Sequence, residues 1–195
     1  MKYIKYFFST CLLLLAIFIC SRGSHYPTYF FLGFSSLIIF GDIFIRKDFS
    51  TNKYSYPKVL DIPMYINFPF MLIFMFITVF VLGEYEPNWI VNVFHYLDID
   101  IINLKNSITI LDKISFIVLT SLFIGIAGTV PGHELTHRKR NKFDMFFGNW
   151  LLALSWDCAF AIEHVYGHHK NVGLESDPAT AKRGENIYSF ILRAI

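Results

Sequence analysis

"FDMFFGNWLLALSWDCAFAI", residues 143–162, lies between two histidine clusters, "PGHELTHRKR" (131–140) and "EHVYGHHKNVG" (163–173). The fold turns on how this stretch is read. About twenty apolar residues suffice to cross a hydrocarbon core roughly 30 Å thick. A straight helix rising about 1.5 Å per residue would then put the two clusters on opposite sides of the membrane. For the clusters to share a site, the stretch must turn back within the bilayer or lie along its inner surface. Asp157 would be costly at a bilayer centre. Gly148–Asn149 and Ser155–Trp156–Asp157 offer break points. The expectation is a re-entrant or interfacial segment over about 143–162, not a crossing.

The rest of the chain makes a bilayer the natural solvent. Of 195 residues, 54% are apolar, 18% aromatic and 16% charged, where a soluble domain carries about a quarter charged residues. The apolar residues fall in long blocks, so the expected fold class is all-α, a polytopic membrane helical bundle forming a single domain over 1–195. Spans are expected at about 3–20, 27–45, 63–82 and 114–131, each of membrane-crossing length. A net charge of +2, with no basic cluster alternating with aromatics, gives no reason to expect nucleic acid as a partner. Lys2 and Lys5 before an apolar run resemble a signal peptide, but Phe18 and Ile19 before Cys20 are too bulky for a cleavage site, which favours a retained helix. Cys11, Cys20 and Cys158 fit neither a disulfide framework nor a zinc ribbon and read as buried thiols.

Loop charge sets the expected orientation. Arg46, Lys47, Lys53 and Lys58 follow the second span, and Arg138, Lys139, Arg140 and Lys142 follow the fourth. The stretch from Gly83 to Lys113 is instead rich in acids. Basic loops face inward, so the N-terminus and both histidine clusters are expected on the cytoplasmic side. Asp42 is expected to anchor its helix, pairing with Arg46 at i+4.

In "HELTH", His133 and His137 stand at i and i+4 and project from one helix face; His164 and His168 repeat the spacing, with His169 some way round. Neutral imidazole is the commonest nitrogen ligand for transition metals. Five imidazoles exceed what one catalytic zinc uses, three protein ligands and an open position, so two metals, or one metal with spare bases, would use them better. A lone histidine in a loop is more often structural, and His25 and His95 are read that way.

These residues carry a resemblance. "GHELTHRKRNKFD" and "IEHVYGHHKNVGLESDPATAKRGE" look like the first two histidine boxes of the membrane alkane monooxygenases and xylene monooxygenase hydroxylase subunits, within the membrane fatty acid desaturase and hydroxylase superfamily. It covers about 130–186, and Arg138 with the wording "EHVYGHH" leans toward the xylene-type branch. The resemblance implies two non-haem iron ions held by His133, His137, His164, His168 and His169. It implies O2 activation at the cytoplasmic ends of the helices of an integral protein of a bacterial inner membrane. The substrate would be an apolar small molecule arriving through membrane lipid, an alkane terminal carbon or an aromatic methyl, with electrons from a rubredoxin or a ferredoxin-type reductase. Glu134 and Glu163 are candidates to orient imidazoles. Asp177, in "DPAT", suits a helix N-cap at least as well as a role near the metals. The basic run Arg138, Lys139, Arg140 and Lys142 offers a dock for an acidic donor, but positive-inside topology is sufficient to explain it and is the reading favoured here.

The family's third box, of the Q-R-H-x-x-H-H kind, has no counterpart here, and no histidine follows His169. A C-terminally incomplete chain, inactive by itself, is the expectation. Two other functions fit part of the pattern. A fatty acid desaturase or lipid hydroxylase of the same superfamily would share the metal chemistry. A membrane zinc protease would bind zinc through His133 and His137 with Glu134 activating water, but it leaves histidines of the second cluster without a purpose.

Overall fold

The computed structural model describes residues 3–45 and 53–194. Arg46 and Lys47, and with them the Asp42–Arg46 pair, lie outside the described residues. Within them the chain is helical, with turns and no strand, an all-α membrane bundle as its composition requires. The helices are α1 (Phe8–Cys20), α2 (Tyr26–Phe44), α3 (Asp61–Leu82), α4 (Asn88–Tyr96), α5 (Ile101–Ser107), α6 (Ile110–Phe123), α7 (Val130–Thr136), α8 (Lys142–Ala153), α9 (Phe160–Ile162), α10 (His169–Asn171) and α11 (Ile187–Ala194). Three helical stretches, Tyr26–Phe44, Pro57–Leu82 and Ile110–Thr136, are long and apolar enough to cross a membrane; the first apolar helix, Ile4–Cys20, is shorter. The chain divides into two compact units, 1–128 and 129–195.

In the first unit the long helices pack in the cyclic order α1–α2–α6–α3. The apolar faces meet in a core of Leu13, Ala16, Phe34, Met71, Phe74, Ile77, Phe116, Leu119 and Phe123. Phe123 stacks on Phe34 (centroids 5.3 Å) and meets Phe74 edge-on (5.7 Å). Three seams of this ring carry a polar tie. Thr10 Oγ1 donates to Asn67 Oδ1 across α1 and α3 (2.6 Å), the hydroxyls of Thr78 and Thr120 meet across α3 and α6 (2.8 Å), and Thr28 donates to the buried Asp112 across α2 and α6. In lipid, packing and such hydrogen bonds replace the hydrophobic drive between helices, each bond contributing about 0.6 kcal/mol. Asp112 also closes a capping box with Thr109, which starts α6 four residues before the expected span. His25 Nδ1 lies 3.5 Å from the same carboxylate, a structural use of that histidine. His95 is exposed on α4.

The thiols depart from expectation. Cys20 is buried, but Cys11 and Cys158 are exposed. An apolar helix in a bilayer needs protein on only some of its sides, which explains Cys11 on α1; Cys158 lies in the turn between α8 and α9.

The second unit begins with α7, directly after a π-helical turn over Ile124–Thr129. Pro131 therefore sits inside a helix, and helical structure runs on past the expected end of the span at 131. The wide turn before it relieves the clash a proline ring makes with the carbonyl four residues back. α7 packs closely on α8 through two glycines. A Cβ on Gly132 would stand 3.2 Å from the Gly148 carbonyl, and one on Gly148 would stand 3.1 Å from the Gly132 carbonyl and 3.0 Å from Thr136. The chain does not break at Gly148–Asn149; that glycine serves the helix contact instead. α8 ends after 12 residues, a rise of about 18 Å and well short of a hydrocarbon core. The chain then turns over 154–159, with Trp156 in the left-handed region (φ 65°).

The two glycines generate a prediction. Gly148→Val should push α7 and α8 apart and lower the stability of the detergent-solubilised protein by about 1–3 kcal/mol, read as a fall in thermal midpoint. Gly33→Ala, at a position with nothing within 4 Å of the added carbon, should leave the midpoint unchanged or raise it.

Candidate metal centre

Each histidine group is presented by a helix end. His133 and His137 close α7, with Leu135 and Thr136 buried on its other side. His164 and His168 lie in a second π-helical turn, Glu163–His168, and His169 opens α10. The π turn explains a placement that α-helical periodicity misses. At 3.6 residues per turn, His169 would point about 140° away from His164. With i→i+5 hydrogen bonds, five residues nearly close one turn, so His168 and His169 flank the direction of His164.

Four Nε2 atoms consequently stand in a row. His137 lies 3.2 Å from His133, His133 lies 2.7 Å from His164, and His164 lies 3.1 Å from His169. Ligand nitrogens of His133, His137 and His164 all fall within 4.8 Å of one another. Hydrogen bonding alone is a poor account of the row. A neutral imidazole Nε2 offers one in-plane site, a hydrogen or a lone pair, yet those of His133 and His164 each face two neighbours. Nitrogens about 2.1 Å from one shared cation would sit roughly 3.0–3.4 Å apart, close to the spacings found. The donor set therefore fits a transition-metal ion.

Phe160 covers the cluster, stacking on His164 (4.6 Å between centroids, 21° between planes) and meeting His133 edge-on (5.5 Å). Nothing in sequence distinguishes this phenylalanine from its apolar neighbours. His164 lies outside the spans. Burial first, then the neighbouring His133, His169, His137 and His168, push its pKa down to about 4. Near neutral pH its lone pair is thus free for a metal.

His168 is held differently. Its ring is nearly parallel to that of His164 (5.4 Å, 19°), and its Nδ1 lies 2.7 Å from Asp177 Oδ2. No helix starts at Asp177, whose carboxylate instead accepts from Ala179 N and Thr180 Oγ1. The Thr180 hydroxyl, against the opposing cost of burial, and His168 hold that carboxyl below its usual range. Glu134 pairs with Arg138 at 3.3 Å and is mostly exposed, and Glu163 is exposed. Among the described residues, the carboxylate bonded to an imidazole of this cluster is that of Asp177. Glu134 and Glu163 adjoin the histidines in sequence, whereas Asp177 stands nine residues beyond His168 and reaches it only through the fold of the loop.

Comparison with known proteins shows what this part of the chain is similar to. A family profile described as "Fatty acid desaturase" matches residues 113–195. The chain is similar to an alkane 1-monooxygenase of Pseudomonas putida (43% identity over 82 residues, 40% of this chain and 20% of the relative). It is also similar to alkane 1-monooxygenase 1 of Alcanivorax borkumensis (47% over 64 residues, 33% of this chain and 16% of the relative). No solved structure matches. The likeness to the membrane alkane monooxygenases carried by the two histidine boxes is borne out, over an alignment that takes in a fifth or less of those relatives' length.

The lowered pKa of His164 has a definite sign. The folded metal-free protein keeps this imidazole neutral down to about 4, whereas the unfolded chain protonates it near 6.5. Stability should therefore decline as pH falls from about 6.5 towards 4, with the loss complete below that. Thermal midpoints of metal-free protein across this range should fall less steeply for His164→Asn than for the wild type. Equal slopes would assign the pH dependence to other groups.

Proposed function

We propose that this chain carries the first two histidine boxes of a membrane di-iron monooxygenase that hydroxylates a C–H bond of an apolar substrate. The row of four Nε2 atoms spaced 2.7–3.2 Å apart carries the reading. His133, His137, His164 and His169 would hold iron there, with His168 supplying a further ligand nitrogen. Two irons suit five imidazoles better than one does. Bound iron would supply activation of O2 by two electrons and two protons, one oxygen atom entering the C–H bond and the other leaving as water. The names of the relatives favour an alkane as substrate.

The chain's own residues perform the remaining work. His164, neutral near pH 7, would offer its lone pair without first losing a proton. Phe160, packed on the rings of His164 and His133, gives the site an apolar cover, which would restrain water from quenching a strongly oxidising centre. Substrate would arrive from lipid. The histidine boxes would face the cytoplasm of a bacterial inner membrane, within reach of a rubredoxin or ferredoxin-type donor. The basic run is partly engaged already, Arg138 with Glu134 and Asp144 and Lys139 over the Tyr166 ring (4.2 Å), which leaves positive-inside topology as its main role. Glu134, turned to Arg138, is poorly placed as the base of a zinc protease.

The test uses membranes expressing the complete reading frame, supplied with a reductase system and 18O2. Alkane, xylene and acyl substrates are compared. The expected result is 18O-labelled alcohol from the alkane, lost in His133→Gln and His164→Gln. Glu134→Gln should retain activity within a few-fold. A desaturated acyl product without label would move the protein to the desaturase branch. Proteolysis abolished by Glu134→Gln would overturn the oxygenase reading.

A further inference from the structure

The segment after the second histidine box has no regular structure between α10 and α11, yet it is heavily bonded. From 172 to 194 one residue alone among those described is buried, and it is an acid, Asp177, at 3% exposure. A carboxylate withdrawn from water in an otherwise exposed loop needs partners for its oxygens, and Asp177 has them. Oδ2 takes His168 Nδ1 at 2.7 Å and the Thr180 hydroxyl, and Oδ1 takes the Ala179 amide at 3.1 Å. Thr180 Oγ1 in turn accepts from the amide of Gly173 (2.9 Å), closing the loop on itself. Gly173 has φ 84°, a conformation that glycine adopts without strain.

Arg193, from α11, braces the same loop. Its Nε and one terminal nitrogen grip both oxygens of Glu185 (2.8 and 2.9 Å). Its terminal nitrogens also donate to the carbonyls of Pro178 (3.0 Å) and Thr180 (2.9 Å), both within the turn that Asp177 opens. Glu185 is itself fixed by the Lys182 amide. A planar guanidinium with its donors in a fixed fork suits this grip, and lysine could not reproduce it.

We infer that Asp177 is a positioning residue for His168, and that Arg193 holds Asp177 in place from α11. The inference rests on the metal reading of the histidine cluster. A carboxylate accepting from Nδ1–H fixes the tautomer, leaves Nε2 as the lone-pair nitrogen, and sets the direction of the ring. His168 needs such a device more than its neighbours do. Each of the other four imidazoles has its Nε2 within 3.2 Å of a neighbour in the row, while His168 stands parallel to His164 and outside that row. The stretch from Asp177 to Arg193 would thus govern the ligand position that His168 supplies, and leave that of His133, His137 and His164 largely alone.

The experiment measures Fe(II) stoichiometry and affinity anaerobically, by competition with a chelator, on the purified full-length protein. Thermal midpoints of the metal-free forms are recorded in parallel. Asp177→Ala and His168→Gln should each weaken iron binding by about 10- to 100-fold, at one class of site. The double variant should bind no more weakly than His168→Gln alone, because the acid acts through that ring. Arg193→Lys should shift affinity in the same direction by less. Asp177→Asn keeps the size and one acceptor, so it should fall between the wild type and Asp177→Ala, and it serves should the alanine variant misfold.

Wild-type iron affinity in Asp177→Ala, with a lowered metal-free midpoint, would make Asp177 a loop anchor only and overturn the inference. Additive losses in the double variant would overturn it as well. Wild-type protein that takes up no iron would sink the metal reading itself, and this inference with it; intact binding lost in His133→Gln but not in Asp177→Ala sinks the inference alone.

Discussion

The approach of His133 and His164, with Nε2 atoms 2.7 Å apart, is the constraint on which the second unit depends. Both rings belong to separate helices with a long apolar stretch between them. Bringing them together requires α8 to be short, to lie tightly on α7, and to be followed by a turn. Each requirement has a local cause. Gly132 and Gly148 remove the side chains that would hold the two helices apart. Asn141 caps α8 through the amides of Phe143 and Asp144, and the turn over 154–159 ends it. The cluster is the product of these three features.

Two π-helical turns, one before the first histidine box and one within the second, perform different tasks. The first accommodates Pro131, so that the box extends the helix without a break. The second changes the angular spacing of side chains, so that three histidines close in sequence face one way. A π turn sacrifices regular hydrogen-bond geometry, and such turns concentrate at functional sites. Here the return is the orientation of imidazoles.

The surroundings of the cluster are asymmetric. His133 and His164 are half-buried beneath Phe160, among other imidazoles. His168 is instead tied to a charged, hydrogen-bonded loop that Arg193 clamps. A metal ligand needs its lone pair free and its ring fixed. The chain meets the first need by burial and mutual crowding, and the second by packing on one side and by a carboxylate on the other.

Much of this was legible in the sequence. Apolar blocks with few charges specify membrane helices because a bilayer tolerates little else, and spacing of i and i+4 specifies one helix face. The family likeness rests on the same residues. Other features were not legible, because they depend on partners distant in the chain or on backbone geometry that composition does not encode. Gly148 reads equally as a helix breaker or a helix contact until Gly132 is found opposite it. His169 joins the row only because the backbone widens by one residue per turn. Asp177 looks like a cap until the loop folds and carries its carboxylate to His168. Residue type and spacing set which side chains could bind a metal; the close packing of α7 on α8 and the two widened turns decided which of them meet, since convergence is a property of three-dimensional path and not of order along the chain.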